Sequence, residues 1–248
     1  MEIIPVIDLK GGLVVRGVAG RRELYRPVTS VLCSEPTPQS VARGFVEHFG
    51  FKSAYVADLD AIAGLEPNWG AYDLMAFAGL HLSIDAGLGS VEQATRYLDI
   101  SAACRRWSGV IVGLESLRAE QELHDLCALI GPERAIFSLD LCDGQPLTHI
   151  PSWSKLQPIE MVNLAVRAGF TRLIVLDLAS VGGMEGVSVL RLCSAVRKRQ
   201  PQLEITSGGG VRSRSDLVEL ASAGCDAALV ASAFHNGTLS REDVDGFL

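Results

Sequence analysis

Five aspartates each close a short apolar run: Asp8, Asp58, Asp85, Asp140 and Asp177 end IIPVID, SAYVAD, HLSID, AIFSLD and TRLIVLD. A carboxylate there is a polar group at the rim of an apolar core. Desolvation lifts one pKa, while a nearby Lys or a cluster of N–H groups lowers another. Two such groups across one cavity can serve as general base and general acid. Asp8 and Asp140 form the most symmetric pair, each followed by a short polar turn (Asp8-Leu-Lys-Gly-Gly and Asp140-Leu-Cys-Asp-Gly). Asp58 and Asp177 read more as loop holders or partners of Lys10. Lys10 and Asp177 stay candidates for contact with a ligand. The bland alternative for any of them is a strand-end Asp that accepts loop N–H bonds.

A second chemistry is anion binding. The run Ser207-Gly208-Gly209-Gly210-Val211-Arg212-Ser213 follows the apolar stretch LEITS and opens a helical pattern. Glycines let backbone approach an anion, with free N–H groups aimed at it. The stretch after Val230, with Ala231 and Ser232, would complete such a cup. A first-half counterpart, Asp85-Ala-Gly-Leu-Gly-Ser, keeps two glycines but begins with Asp and has no Arg after them. Glu115 falls in its neighbouring turn. These acids predict a cup that is weakened, or reused for a polar or cationic group. Residues 16–35 carry Arg16, Arg21, Arg22, Tyr25 and Arg26. This segment is either a lid that closes over an anionic substrate or a solvated charged loop. Trp153 either stacks on a planar substrate ring or packs on the rim. His48, His81, His124 and His235 lack metal-ligand spacing, and no cysteines form a CxxC pair.

These groups need a scaffold that brings strand ends together. Apolar runs at about 3–8, 53–58, 81–85, 109–113, 135–140, 171–177, 203–207 and 226–231 predict strands buried on both faces. Helical periodicity fills the gaps, at about 38–49, 70–78, 90–103, 116–130, 157–168, 187–199, 213–223 and 239–247. Eight strands each followed by a helix describe a single-domain (β/α)8 TIM barrel over residues 1–248. AYVADLDAIAGLE at 54–66 aligns with LIVLDLASVGGME at 173–185, and VGLESL at 112–117 with VASAFH at 230–235. The barrel therefore reads as two similar half-barrels. Strands one and five face each other, which sets Asp8 opposite Asp140. Lys and Arg total 22 against 29 Asp and Glu, a net −7 that argues against a nucleic-acid partner. No apolar run is long enough to cross a bilayer and no leader pattern opens the chain, so the cytoplasm is expected.

The stretches IIPVIDLKGG, AYVADLDAIAG, IFSLDLCDG and ITSGGGVRSRSDL resemble the histidine-biosynthesis barrels, the HisA and HisF family. The isomerase branch is the nearer one, and the likeness covers essentially the whole chain. The resemblance implies a phosphorylated substrate and an Amadori rearrangement of an aldose ribosylamine to a ketose, without cofactor or metal. It implies Asp8 as base and Asp140 as acid, with Gly209, Gly210, Ala231 and Ser232 in the second-half phosphate site. The chain also departs from the family. Leu176-Asp177, followed by Ser180-Val181-Gly182-Gly183, stands where Thr-Asp and an Arg-Asp-Gly-Thr loop are usual. Asp85-Ala-Gly-Leu-Gly stands for Gly-Gly-Gly-Ile-Arg. Open alternatives are therefore a divergent paralogue acting on a different monophosphate outside histidine biosynthesis, and a catalytically silent barrel that binds a phosphorylated ligand.

Overall fold

In the computed structural model, which describes residues 1–101, 107–180 and 189–247, the apolar runs close into a ring. The strands are β1 (Glu2–Lys10), β2 (Ser53–Asp58), β3 (His81–Asp85), β4 (Trp107–Gly113), β5 (Ala135–Cys142), β6 (Arg172–Asp177), β7 (Glu204–Gly208) and β8 (Ala227–Val230). Each pairs in parallel with the next, and β8 returns to β1 through Glu2–Ala227 to Pro5–Val230. Between them lie α1 (Pro38–Phe49), α2 (Trp69–Phe77), α3 (Val91–Ser101), α4 (Glu120–Ile130), α5 (Pro158–Ala168), α6 (Leu190–Arg199) and α7 (Arg214–Ser222). The protein is a (β/α)8 barrel. No helix among the described residues is long and apolar enough to cross a membrane.

Successive strand residues point to opposite faces, and that alternation sorts the core into two shells. Tyr55, Ile111, Ile136, Ile174 and Leu229 fill the barrel interior with Ile4, Val6 and Leu176. Ile7, Val56, Ile84, Val112, Leu139 and Val175 face outward under the helices. Asp8 shares the inward parity of Ile4 and Val6. Asp85 is two residues from Ser83 on the face opposite Ile84, and Asp140 is four from Ile136. Asp58 and Asp177 have outward parity.

The elements differ from the sequence pattern in three places. The segment after β1 is not a featureless loop. Gly11 and Gly12, with φ of 58° and 78°, make the two-residue turn that sends Leu13–Arg16 back antiparallel to β1. Arg26–Pro27 pairs with that strand in turn. The expected helix at 239–247 is only Arg241–Val244, because Val244 is its one buried residue and too little apolar surface holds further turns. The helix expected from 116 begins at Glu120, since the Gly113–Leu117 backbone is spent on the mouth: Leu114 N–H donates to Ser138 O and Ser116 N–H to Gly113 O. The ends of the expected 90–103 and 187–199 helices, at 102–103 and 187–188, lie outside the described residues.

Candidate active site

The inward strand ends open into one cavity at the C-terminal mouth of the barrel, where Asp8, Asp85, Glu115 and Asp140 share the lining with Tyr55 and Arg22. Asp140 is 7% and Asp85 8% exposed. Ser138 Oγ donates to Asp140 Oδ1 at 2.7 Å. Gly87 N–H donates to Asp85 Oδ1 at 3.0 Å, and the Tyr55 hydroxyl donates to its Oδ2 at 3.3 Å. Burial pushes Asp140 up to about 8, helped by the charges of Glu115 and Asp85. Burial pushes Asp8 up to about 7, with Arg22 pulling the other way. Burial also lifts Asp85, to about 6, against the hydrogen bond from Gly87. The pair picked from sequence therefore faces one cavity, and the two carboxyls differ in the direction their neighbours push them.

Arg22 belongs to the segment after β1 and pairs across the mouth with Glu115. Burial works against its charge, but Glu115 and Asp85 hold it protonated. Lys10 Nζ donates to Arg22 O at 2.6 Å, and Tyr25 is buried against Val15 and Tyr55. The segment thus brings Arg22 and Tyr25 to the cavity, while Arg21, Glu23 and Arg26 stay exposed. Arg16 is exposed but lines the cavity beside Ala231 and Ser232. Lys10 does not line the cavity. It serves the backbone of the covering segment.

The anion cup has the form the glycines predict. Gly209 and Gly210 adopt φ of 81° and 83°, a left-handed backbone that favours glycine. Both line the cavity with Val211, Ala231 and Ser232. Among the described residues no protein acceptor meets the N–H groups of Gly209, Gly210 and Val211. The next two amides, of Arg212 and Ser213, are taken by Asp216 at the start of α7. Gly208 sits one step back, where its role is packing: a Cβ there would stand 2.5 Å from Leu229 O. It does not line the cavity.

The first-half counterpart, Ala86, Gly87 and Leu88, does not line the cavity, and the protein itself takes the Gly87 amide. Gly87 N–H is bonded to Asp85, Gly89 N–H to Gln93 Oε1 at 3.1 Å, and Val91 N–H to Glu122 Oε2 at 2.8 Å. The amides of Leu114 and Ser116 are taken by backbone carbonyls. Leu88 stands where the second half has Val211, with its side chain 4% exposed in the core. The turn is also tightly packed, since a Cβ on Gly89 would fall 1.8 Å from Ser116 O. Gly89→Ala is expected to destabilise the fold by about 3 kcal/mol, read as a shifted denaturant midpoint, because a backbone oxygen cannot step aside like a side chain.

Other candidates prove structural. Asp177 accepts from the amides of Asp143, Gly144 and Ala179, and Asp58 from Ala61 N–H, Asn68 N–H and the Tyr72 hydroxyl. Both hold loops on the outer side, as their parity requires. Trp153 is 5% exposed in the core between barrel and helices and does not reach the cavity. The sequence reading left Asp85 and Glu115 without a catalytic part, and it passed over Tyr55. No three His, Cys, Asp or Glu among the described residues are grouped to hold a metal ion.

A family model described as "Histidine biosynthesis protein" matches residues 2–240. The chain belongs to the histidine-biosynthesis protein family. It is 31% identical over 244 residues to an uncharacterised protein of Methanocaldococcus jannaschii, covering 98% of this chain and 97% of that one. It is 30% identical over 251 residues to a 1-(5-phosphoribosyl)-5-((5-phosphoribosylamino)methylideneamino) imidazole-4-carboxamide isomerase of Thioalkalivibrio sulfidiphilus, covering 96% of each. A protein of the same name from Campylobacter concisus is 30% identical over 249 residues, with 98% of each chain covered. Both names specify two phosphoribosyl groups.

Against the family pattern, the acidic first-half turn, with Asp85 and Glu115 in the cavity lining, is the departure with the clearest physical content. Leu176, in place of the usual Thr, lines the cavity as an apolar wall. Val181, Gly182 and Gly183, which stand where the family loop is expected, lie outside the described residues.

Proposed function

We propose that the protein is a cofactor-independent isomerase of the aldose–ketose type, acting on a ribosylamine or similar sugar derivative held by a single phosphate. The observation that carries this reading is the contrast between the two cups. Gly209, Gly210 and Val211, with open amides, line the same cavity as Asp8 and Asp140, while none of the matching first-half residues Ala86, Gly87 and Leu88 lines it and the Gly87 amide is bonded to Asp85. An anion gains little where the turn does not reach the cavity, and it meets the carboxylates of Asp85 and Glu115 there.

Asp140, protonated by its surroundings, gives its proton to the ring oxygen as the C1–O bond breaks, and the amine nitrogen supplies the pair that forms the iminium. Asp8, the more acidic of the two, takes the proton from C2. The C2–H electrons become the C1–C2 double bond, and the iminium pair returns to nitrogen. Loss of the O2 proton and protonation of C1 then give the ketone. Each step moves only protons and electron pairs within the substrate. The phosphate anchor and the covering segment restrict the flexible sugar to reacting geometries.

The test is deuterium wash-in from D2O, at C1 of the ketose or at C2 of the recovered aldose, followed by proton NMR across a panel of aldose and ribosylamine monophosphates. Wash-in with at least one of them is expected, and none across the panel would sink the reading in favour of a silent binding barrel. Growth of a strain lacking the histidine-pathway isomerase is expected to fail when the protein is expressed in folded form. Growth would show that a substrate with two phosphates is accepted and would overturn the single-phosphate assignment.

A further inference from the structure

The mouth holds two more carboxylates than the proposed proton transfers use. Asp85 and Glu115 bracket Asp140. A Cβ placed on Gly113 would stand 3.4 Å from Asp140 Oδ2 and 3.9 Å from Asp85 Oδ2, so the two oxygens flank one small gap. Their supports differ. Asp85 receives two donors, one on each oxygen, from Gly87 N–H and the Tyr55 hydroxyl. Donors of this kind favour an ionised carboxylate. Asp140 has Ser138 on Oδ1 and a bond from the Glu115 backbone, and it sits against the charges of both Glu115 and Asp85.

The groups that face Asp140 come from every side of the mouth. Asp8 comes from β1, Arg22 and Tyr25 from the covering segment, Tyr55 from β2 and Asp85 from β3. Glu115 follows β4, and Ser138 precedes Asp140 on β5. Asp177 of β6 is turned to loop amides on the outer side. Thr206 and Leu229 complete the inner face of β7 and β8 without a charge. Arg22, the cation that pairs with Glu115 across the mouth, offsets the charge of Asp85 only in part.

We infer that Asp85 is a positioning residue: held as a carboxylate by Tyr55 and Gly87, it sets a negative charge against Asp140 and so keeps Asp140 as the proton donor. The inference rests on the reading of Asp140 as the acid. It gives a use to the replacement of a family glycine by Asp at this strand end. Ionising Asp140 beside a fixed like charge is costly, and a proton donor must stay protonated near neutral pH to act. Asp8 stands nearer Arg22, whose charge favours its ionised form. One acid and one base can thus coexist in a single mouth.

The test needs no substrate. Full-length protein carrying aspartate labelled with carbon-13 at the side-chain carboxyl is titrated by NMR. Carboxylates this close titrate as a group, so the observable is the highest midpoint of the cluster. It is expected near 8 in the unaltered chain, missing in Asp140→Asn, lowered by about 1 on the pH scale in Asp85→Asn, and restored in Asp85→Glu. A merely structural Asp85 would leave that midpoint where it is, and an unchanged value in a folded Asp85→Asn overturns the inference. If that variant does not fold, Asp85→Ser replaces it. It removes the same charge, so the highest midpoint should fall likewise, and an unmoved midpoint is again fatal. A highest midpoint that survives in Asp140→Asn defeats instead the assignment of Asp140 as the acid.

Discussion

Asp8→Asn and Asp140→Asn are each expected to lower turnover about 10³-fold while phosphate still binds in the second-half cup. An amide has nearly the shape of a carboxylate and preserves the lining, so only the proton transfer is lost. The rate is that of deuterium wash-in with the compound the unaltered protein turns over. Binding is read separately with inorganic phosphate. The pH profile adds a sign. A base works when deprotonated, so activity rises as pH climbs through about 7, the value for Asp8. An acid works when protonated, so activity falls as pH climbs through about 8, the value for Asp140. The result is a narrow optimum between the two. The residual activity of Asp8→Asn should lose the rising limb, and that of Asp140→Asn the falling one. Turnover unchanged by either substitution would remove both assignments.

Much of this site is readable in the sequence because strand parity is arithmetic. Inward residues on β1 run Ile4, Val6, Asp8, and on β5 Ile136, Ser138, Asp140. Asp58 follows Ala54 and Val56 on the outward set, and Asp177 follows Leu173 and Val175. Counting by twos therefore separates the cavity acids from the loop holders, and it puts Asp85 with the former. The positive φ of Gly209 and Gly210 was equally foreseeable from a glycine run at the end of the seventh strand. Other features depend on partners far along the chain. Nothing local in Val91 says that Glu122 will cap its amide, and nothing in Arg22 names Glu115. Trp153 stayed open between stacking and packing because a residue after a strand can turn either to the mouth or to the helix layer, and its large apolar ring is buried in the latter. The helix expected at 239–247 failed for the converse reason, a periodic pattern with too little surface to bury.

The asymmetry between the cups makes the second large effect specific to place. Ser232→Asp is expected to weaken phosphate binding by at least about a hundredfold. Ser232 lines the cavity together with Gly209 and Gly210, whose amides are open, and with Arg16. A carboxylate there would stand within a few ångströms of a dianion. At an effective dielectric of about 20, each pair of unit charges at about 4 Å costs about 4 kcal/mol. A hundredfold loss corresponds to about 2.8 kcal/mol, so the effect survives considerable screening. Ser232→Ala removes only a neutral hydroxyl and should cost a few-fold. The control is Ser116→Asp in the first half, where Leu114 and Ser116 amides are already taken. If that turn held no anion before, a new charge there should leave phosphate binding nearly unchanged. Titrating the three variants with inorganic phosphate, by calorimetry or phosphorus-31 NMR, separates the cases. A loss in Ser116→Asp as large as in Ser232→Asp would mean that both ends of the mouth bind phosphate, and the substrate would then need two phosphates after all.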